Sequence, residues 1–399
     1  MKRNPPPTKE PNKVTKKKPS KKKVTKKKPS KKKVTKKKLK SQLIKASKKE
    51  KKEKGKVLWV PFGSVLFNIR CSGRYDGAFK QGTMANIIGD SSSGKSISVL
   101  SGLAWASTMK KFDKYRMIYD DAEFADSFDH VKLFGPKFAA RVEAPTEDGE
   151  MSTTIENFYD YVMDACDVAE ATGIPFIYVL DSFDAIDSDA EIEKELKNRE
   201  HRKNKELSKI KGTFGASKQK KASQLFRHIC SRLKRTKSVL IIISQTRDNL
   251  SAMSFVKQYR SGGKALKFYA SIEAWLTYIG AITQTVNGIK YDIGVDTRAK
   301  ITKNKFTGKK SECDFPIYPD YGIDDVSACL HFLVKVGYWK KSKTKIDCKE
   351  LKFKGTKKKI IEHIEKKKKK REIILFKTTA KAAKIIDKKL SLGRLPKYG

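Results

Sequence analysis

The eight residues Gly89 to Ser96, reading G-D-S-S-S-G-K-S, constrain this chain more than any other stretch. They satisfy G-x-x-x-x-G-K-[S/T], the loop that wraps the phosphates of a nucleoside triphosphate. Glycine lets the backbone approach the anion, successive N–H groups and the positive end of the following helix hold it, and lysine adds a point charge. Gly89, Asp90, Ser91, Ser92, Ser93, Gly94, Lys95 and Ser96 are therefore the nucleotide-binding candidates. Lys95 is expected to reach the β- and γ-phosphates, and Ser96 to hold Mg2+. The flanks agree, because Met84–Ile88 reads as a buried strand and Ile97–Met109 as an amphipathic helix. A Gly/Ser-rich turn matching by accident would not come with both.

Charge is distributed unevenly. The 399-residue chain has 90 Lys and Arg against 44 Asp and Glu, a net charge of +46. Met1–Lys56 holds 27 basic and 3 acidic residues and Lys340–Gly399 holds 23 and 6, which leaves the middle nearly balanced. A globular body with two basic ends is expected to meet a polyanion, nucleic acid above all. K-V-T-K-K-K-P-S-K-K occurs at Lys13–Lys22 and Lys23–Lys32, and a third copy from Lys33 departs at Leu39. Like charges repel, Pro19 and Pro29 interrupt helices, and one valine per repeat cannot offset the entropy of ordering. Met1–Lys56 is thus expected to be a disordered arm contacting phosphates without regard to sequence, rather than a merely solvated tail or an import signal.

Cys71, Cys166, Cys230, Cys313, Cys329 and Cys348 are scattered without a C-x-x-C, which fits a reducing compartment. No apolar run reaches the roughly 18 residues of a membrane span. A soluble protein with no membrane partner is expected, in the cytoplasm, a host's if a phage encodes the chain.

From Leu58 to about Ile323, short apolar runs alternate with longer helical patterns, the signature of an α/β fold with a mainly parallel twisted sheet flanked by helices. Candidate strands are Met84–Ile88, Met117–Tyr119, Phe176–Leu180 and Leu240–Ile243, each meeting polar residues at its carboxyl end, where ligands sit in such sheets. Lys194–Lys221, rich in Lys and Arg, reads as an inserted mobile loop. A helical pattern at Val326–Val334 and the pair Tyr338-Trp339 suggest a small C-terminal α/β domain. The organisation implied is an arm (1–56), a nucleotide-binding core (57–323), the small domain (324–365) and a basic extension (366–399).

Phe176–Ser182 (F-I-Y-V-L-D-S) is an apolar strand ending in an acid, where a phosphate-loop ATPase places the carboxylate that orders Mg2+ and its water. Asp181 joins Ser96 as a metal candidate. A second acid must position or deprotonate the attacking water, and Tyr119–Glu123 (Y-D-D-A-E) leaves Asp120, Asp121 and Glu123 hardly distinguishable. Leu240–Ile243 runs into Ser244-Gln245, where an uncharged amide suits hydrogen bonding to a γ-phosphate.

Three stretches resemble the RecA-type recombinases, within a match from about Gly63 to about Glu365. Val179–Glu195 is similar to that family's second nucleotide motif and the entry to its first DNA loop. Ile241–Arg247 (I-I-I-S-Q-T-R) is similar to the strand ending in its phosphate-sensing glutamine. Ser261–Gly280, with the core G-G-x-A-L-K-F-Y-A-S, is the most specific of the three. The resemblance implies a RecA-like ATPase core with ATP and Mg2+ as cofactors, Glu123 as the catalytic carboxylate beside Lys95, and Gln245 as the sensor. It also implies DNA-binding loops at about 196–222 and 248–261. In the second loop Arg247, Leu250, Met253, Phe255, Lys257, Arg260, Gly262 and Gly263 become DNA-binding candidates, and in the first Arg199 and Arg202. Apolar side chains there suit base stacking, and basic ones suit phosphates.

Thr302–Lys305 (T-K-N-K) resembles paired lysines that reach across a filament interface. Lys303 and Lys305, expected on one face of a strand, and Lys267 and Phe268 are the implied trans-acting residues. Asp126 with Tyr318 or Tyr321 is implied to bracket the adenine. The implied function is a DNA-dependent ATPase that forms helical filaments on single-stranded DNA and pairs them with homologous double-stranded DNA, exchanging strands in recombination and repair. A hexameric helicase on the same core, or a DNA-coating protein with a vestigial ATP site, remain the alternatives.

Deleting Met1–Lys56 is expected to weaken DNA binding and flatten its salt dependence, since each neutralised phosphate releases counterions. Oligonucleotide titrations of full-length and truncated chains over a salt series check this, and an unchanged slope would remove the arm from the DNA interface.

Overall fold

The computed structural model describes residues 57–204, 208, 216–248, 258–260 and 263–394. The lysine repeats and Leu250, Met253, Phe255, Lys257 and Gly262 lie outside the described residues, and for Arg247, Arg260 and Gly263 only the backbone is described. Among the described residues no helix is long and apolar enough to cross a membrane.

The chain enters at β1 (Trp59–Val60), which pairs antiparallel with β2 (Phe79–Lys80) around helix α1 (Val65–Ser72). β3 (Thr83–Gly89) leads through the phosphate loop into α2 (Lys95–Ser107). β4 (Arg116–Asp121) is followed by two short helices, α3 (His130–Phe134) and α4 (Pro136–Ala139), then β5 (Val142–Glu143) and α5 (Ile155–Thr172). β6 (Phe176–Asp181) runs to α6 (Asp189–Lys203) and α7 (Ala216–Thr236). β7 (Val239–Asp248) pairs with β8 (Gln258–Arg260) ahead of α8 (Gly263–Tyr269). β9 (Ile272–Val286) and β10 (Ile289–Asn304) form a long hairpin, joined by β11 (Ser311–Tyr318) and β12 (Gly322–Ile323). α9 (Asp325–Lys335) precedes a small antiparallel sheet of β13 (Lys340–Ser342), β14 (Lys345–Cys348) and β15 (Phe353–Gly355), and α10 (Lys357–Glu365) and α11 (Lys368–Lys389) follow.

The main sheet runs β12-β11-β10-β9-β3-β7-β6-β4-β5, with β8 attached to β7. Pairing is parallel from β9 across to β5 and antiparallel from β9 to β12, so the expected α/β class with a mainly parallel sheet is what the chain adopts. Every residue of β6 is buried because helices cover both faces, and its sequence is accordingly a continuous apolar run rather than an alternation. Ile177 and Val179 point into one core with Leu100 and Leu103 of α2; Phe176, Tyr178 and Leu180 point into the other with Phe158 of α5 and Phe226 of α7.

The expected mobile loop at Lys194–Lys221 is corrected at both ends. α6 continues to Lys203 and α7 has begun by Ala216. α6 buries only Asn198, so it has no apolar stripe by which to be read. Electrostatics hold it instead: Asp189 and Glu191 lie in the first turn, His201, Arg202 and Lys203 in the last, Lys197 donates to Glu193 at 2.6 Å, and Arg202 pairs with Glu195.

The basic stretch from Lys366 onward includes α11, whose inner face is apolar. Leu375, Ala382 and Ala383 lie in the same core as Leu333 of α9 and Ile360 of α10, and Phe376 meets Trp105 of α2 with ring centroids 6.2 Å apart. Leu375→Ala is therefore expected to lower stability by about 2–5 kcal/mol. Leu392→Ala, at a side chain that is 90% exposed, is expected to stay within about 0.5 kcal/mol. Urea unfolding of both variants checks the difference, and equal midpoints would mean that α11 does not share the core's stability.

Candidate nucleotide and catalytic site

The phosphate loop starts where β3 ends and is closed by its own backbone. The Lys95 ammonium donates to the Asp90 carbonyl at 2.7 Å, and the Ser93 N–H and hydroxyl donate to the same oxygen at 3.2 and 2.7 Å. Thr297 on β10 donates its hydroxyl to the Ser93 carbonyl at 3.2 Å, bracing the loop from the hairpin side. Two glycines are sterically required. A Cβ on Gly89 would lie 2.4 Å from the Leu276 carbonyl oxygen, and one on Gly94, where φ is +83°, would lie 2.3 Å from Ile317. The loop is thus pressed against β9 and β11, with its N–H groups at the head of a 13-residue helix.

Structure separates the three acids that sequence left together. Asp120 points into the core away from the phosphate loop, where it accepts from the Ser152 N–H and hydroxyl at 2.8 and 2.6 Å and from Tyr178 at 2.6 Å. Asp121 accepts from the Asp126 N–H at 2.8 Å and so closes the following turn. Glu123 lies past the strand end, its N–H held by the Asp181 carbonyl at 3.1 Å, and its exposed carboxylate accepts from Gln245 at 2.7 Å and from Ser182. Glu123 and Gln245 line a cleft of about 420 Å3 with Ala122, Asp184, Ala185 and Thr246.

Asp181 is buried beside the start of α2. Burial pushes its carboxyl up to about 6, opposed by hydrogen bonds from Ser96 and Tyr119 and reinforced by the charges of Glu123 and Asp121. Burial likewise holds the Lys95 ammonium below the ordinary lysine value, opposed by Asp181, Glu123, Asp90 and Asp184. Ser96 and Asp181 are hard oxygen donors of the kind Mg2+ takes, near each other where β6 ends and α2 begins.

Tyr119, Ser182 and Asp184 also belong to this site, without a motif that marks them. Asp184 accepts from the Gln245 N–H at 2.6 Å, tying the segment after β6 to the end of β7. A position three residues past a strand end carries no periodic signal. Tyr119 shares a face with Asp181 only through the register of β4 against β6, which its own segment does not reveal.

The remaining candidates are spread around this centre. Lys303 is on β10, but the strand ends at Asn304 and its register shifts between Ile301 and Lys303, so the expectation that Lys303 and Lys305 share one strand face is corrected. The two amines nevertheless converge: Lys303 donates to the Lys267 carbonyl and to that of Phe268 at 3.0 Å, and Lys305 donates to Phe268 at 3.1 Å. They cap the carboxyl end of α8, beside a Phe268 ring that is 70% exposed. Asp126 pairs with His130 at 2.7 Å, Tyr318 lies against Gly294, and the Tyr321 ring meets Lys368 at 5.6 Å. Arg199 and Arg202 are exposed on α6, Arg202 in its pair with Glu195. Arg247 and Arg260 stand on the two paired strands that flank residues 249–257, and Gly263 opens α8.

A parallel sheet whose β3 feeds a phosphate loop, with Asp181, Glu123 and Gln245 at the same strand ends, defines a phosphate-loop nucleotide-binding core. Residues 27–324 match the family model described as the RecA N-terminal domain, which covers well over half of the chain. The chain belongs to the RecA family, in agreement with the resemblance carried by its three motif stretches. Membership places it among recombinases and ATPases that use nucleotide and Mg2+, bind DNA and self-associate.

Gly89→Ala forces a methyl group against the Leu276 backbone and is expected to cost about 1–3 kcal/mol of stability as well as most of the affinity for a fluorescent ATP analogue. Urea unfolding and nucleotide titration check it, and wild-type values in both would show that the loop can move away from β9.

Proposed function

We propose that this protein is a DNA-dependent ATPase that polymerises on single-stranded DNA and promotes homologous pairing and strand exchange. One observation carries the reading: the Glu123 carboxylate is hydrogen-bonded to Gln245 at 2.7 Å, and Gln245 lies on the strand that runs into residues 249–257. The group best placed to position an attacking water is thereby linked to the segment that the family resemblance makes a DNA loop. Asp184 reinforces the link by holding the Gln245 backbone.

In this reading Lys95 and the loop N–H groups bind the β- and γ-phosphates of ATP, and Glu123 orients or deprotonates the water. Mg2+ on Ser96 and Asp181 supplies positive charge against the phosphate oxygens. Lys303 and Lys305 of an adjacent copy complete the site, leaving the α8 carbonyls they cap in the isolated chain. ATP and DNA then favour the same extended assembly, so each raises affinity for the other. The basic arm and tail add phosphate contacts independent of sequence.

ATP hydrolysis measured with and without single-stranded DNA tests this directly, and a rate indifferent to DNA would sink it. Glu123→Gln is expected to lower the stimulated rate by about 100-fold or more while ATP still binds. Lys303→Ala and Lys305→Ala are expected to lower the stimulated rate without weakening nucleotide binding by isolated protomers. Electron microscopy with ATP and DNA separates open filaments from closed rings, and rings would favour a helicase instead.

A further inference from the structure

β4 and β6 are parallel neighbours in a register that sets Tyr119 beside Val179 and Asp121 beside Asp181. Side chains alternate along a strand, so Tyr119 and Asp181 share the face covered by α2, offset by two residues along the strand. A diagonal neighbour at that offset is within reach of an aromatic side chain, and the Tyr119 hydroxyl donates to Asp181 Oδ2 at 3.0 Å. Both residues are nearly inaccessible, at 5% and 4% exposure, so little water can substitute for this bond. Asp121, directly opposite Asp181, instead accepts from the Asp126 N–H at 2.8 Å, so the observed side-chain hydrogen bond to Asp181 comes from Tyr119.

A carboxylate turns about a broad, two-fold torsion and takes its orientation from its donors. At a position that served packing alone, phenylalanine would fill the same space without burying a hydroxyl that must find a partner. We propose that Tyr119 is a positioning residue for the Mg2+ site, its phenol fixing the orientation in which the Asp181 carboxylate meets the cation and Ser96. The proposal rests on the reading of this site as one for Mg2+ and ATP. It assigns Tyr119 no contact with nucleotide or with the reacting atoms.

The molecule contains its own control. On the opposite face of the same two strands, Tyr178 donates to Asp120 at 2.6 Å, a buried tyrosine–aspartate pair in the core away from the phosphate loop. Tyr119→Phe and Tyr178→Phe therefore delete the same kind of bond on the two faces of one sheet. Binding of a fluorescent ATP analogue to the full chain would be titrated with Mg2+ and repeated in EDTA, beside thermal melts. Tyr119→Phe is expected to raise the Mg2+ concentration for half-maximal binding about tenfold, as loss of a hydrogen bond behind a metal ligand does, with binding in EDTA unchanged. Tyr178→Phe is expected to lower the melting temperature and leave the Mg2+ midpoint alone. A wild-type Mg2+ midpoint in Tyr119→Phe, or an equal loss with Mg2+ and in EDTA, would overturn the assignment. Wild-type protein that binds the analogue without regard to Mg2+ would overturn the reading of the site itself.

Discussion

The register of four parallel strands is the constraint on which everything else depends. Gly89 of β3 stands beside Gln245 of β7, Leu180 of β6 beside Ile242 of β7, and Asp181 of β6 beside Asp121 of β4. That alignment brings the phosphate loop, the buried carboxylate, the exposed carboxylate and the amide to one edge of the sheet, the carboxyl edge where open α/β sheets bind ligands. Slipping a strand by one residue would reverse which side chains meet α2 and which meet α5 and α7. The buried runs of β3, β6 and β7 resist such a slip because both faces are packed, so the chemistry is positioned by apolar burial.

At that edge burial works against charge. Asp181 and Lys95 are both pushed toward their neutral forms by burial, and Glu123, Asp90 and Asp184 add negative charge around them. A lysine amine resting on its own loop carbonyl and an aspartate restrained by a tyrosine form a polar network with donors and acceptors already aimed. Polyphosphate and a divalent cation are the chemistry that such a network fits. The same logic applies at the far end of α8, where the ammonium groups of Lys303 and Lys305 sit on backbone carbonyls that a competing anion would have to displace.

Much of the fold was legible because it is written in local patterns. The phosphate loop has required residue types at fixed spacing, and the central strands are apolar runs bounded by polar residues. The limits of legibility are equally specific. α6 carries no apolar stripe that tells it from a loop, because only Asn198 is buried and its support comes from ion pairs. Lys305 falls one residue past the end of β10, and nothing in its own segment marks where the pairing with β9 stops. Asp184, Ser182 and Tyr119 leave no local signal because each owes its place to a neighbouring strand rather than to its own segment.

By itself the sequence determined the α/β class, the nucleotide loop at Gly89–Ser96, the family and the distribution of charge, since these follow from residue type and spacing along one segment. Only the tertiary structure decided which of Asp120, Asp121 and Glu123 faces the cleft. Side chains two apart share a face and those one apart do not, but which face carries the phosphate loop is fixed by α2, α5 and α7 packing from opposite sides. It also decided that Gln245 touches Glu123 at a separation of 122 residues, a contact that exists only because two parallel strands are held level by their buried cores.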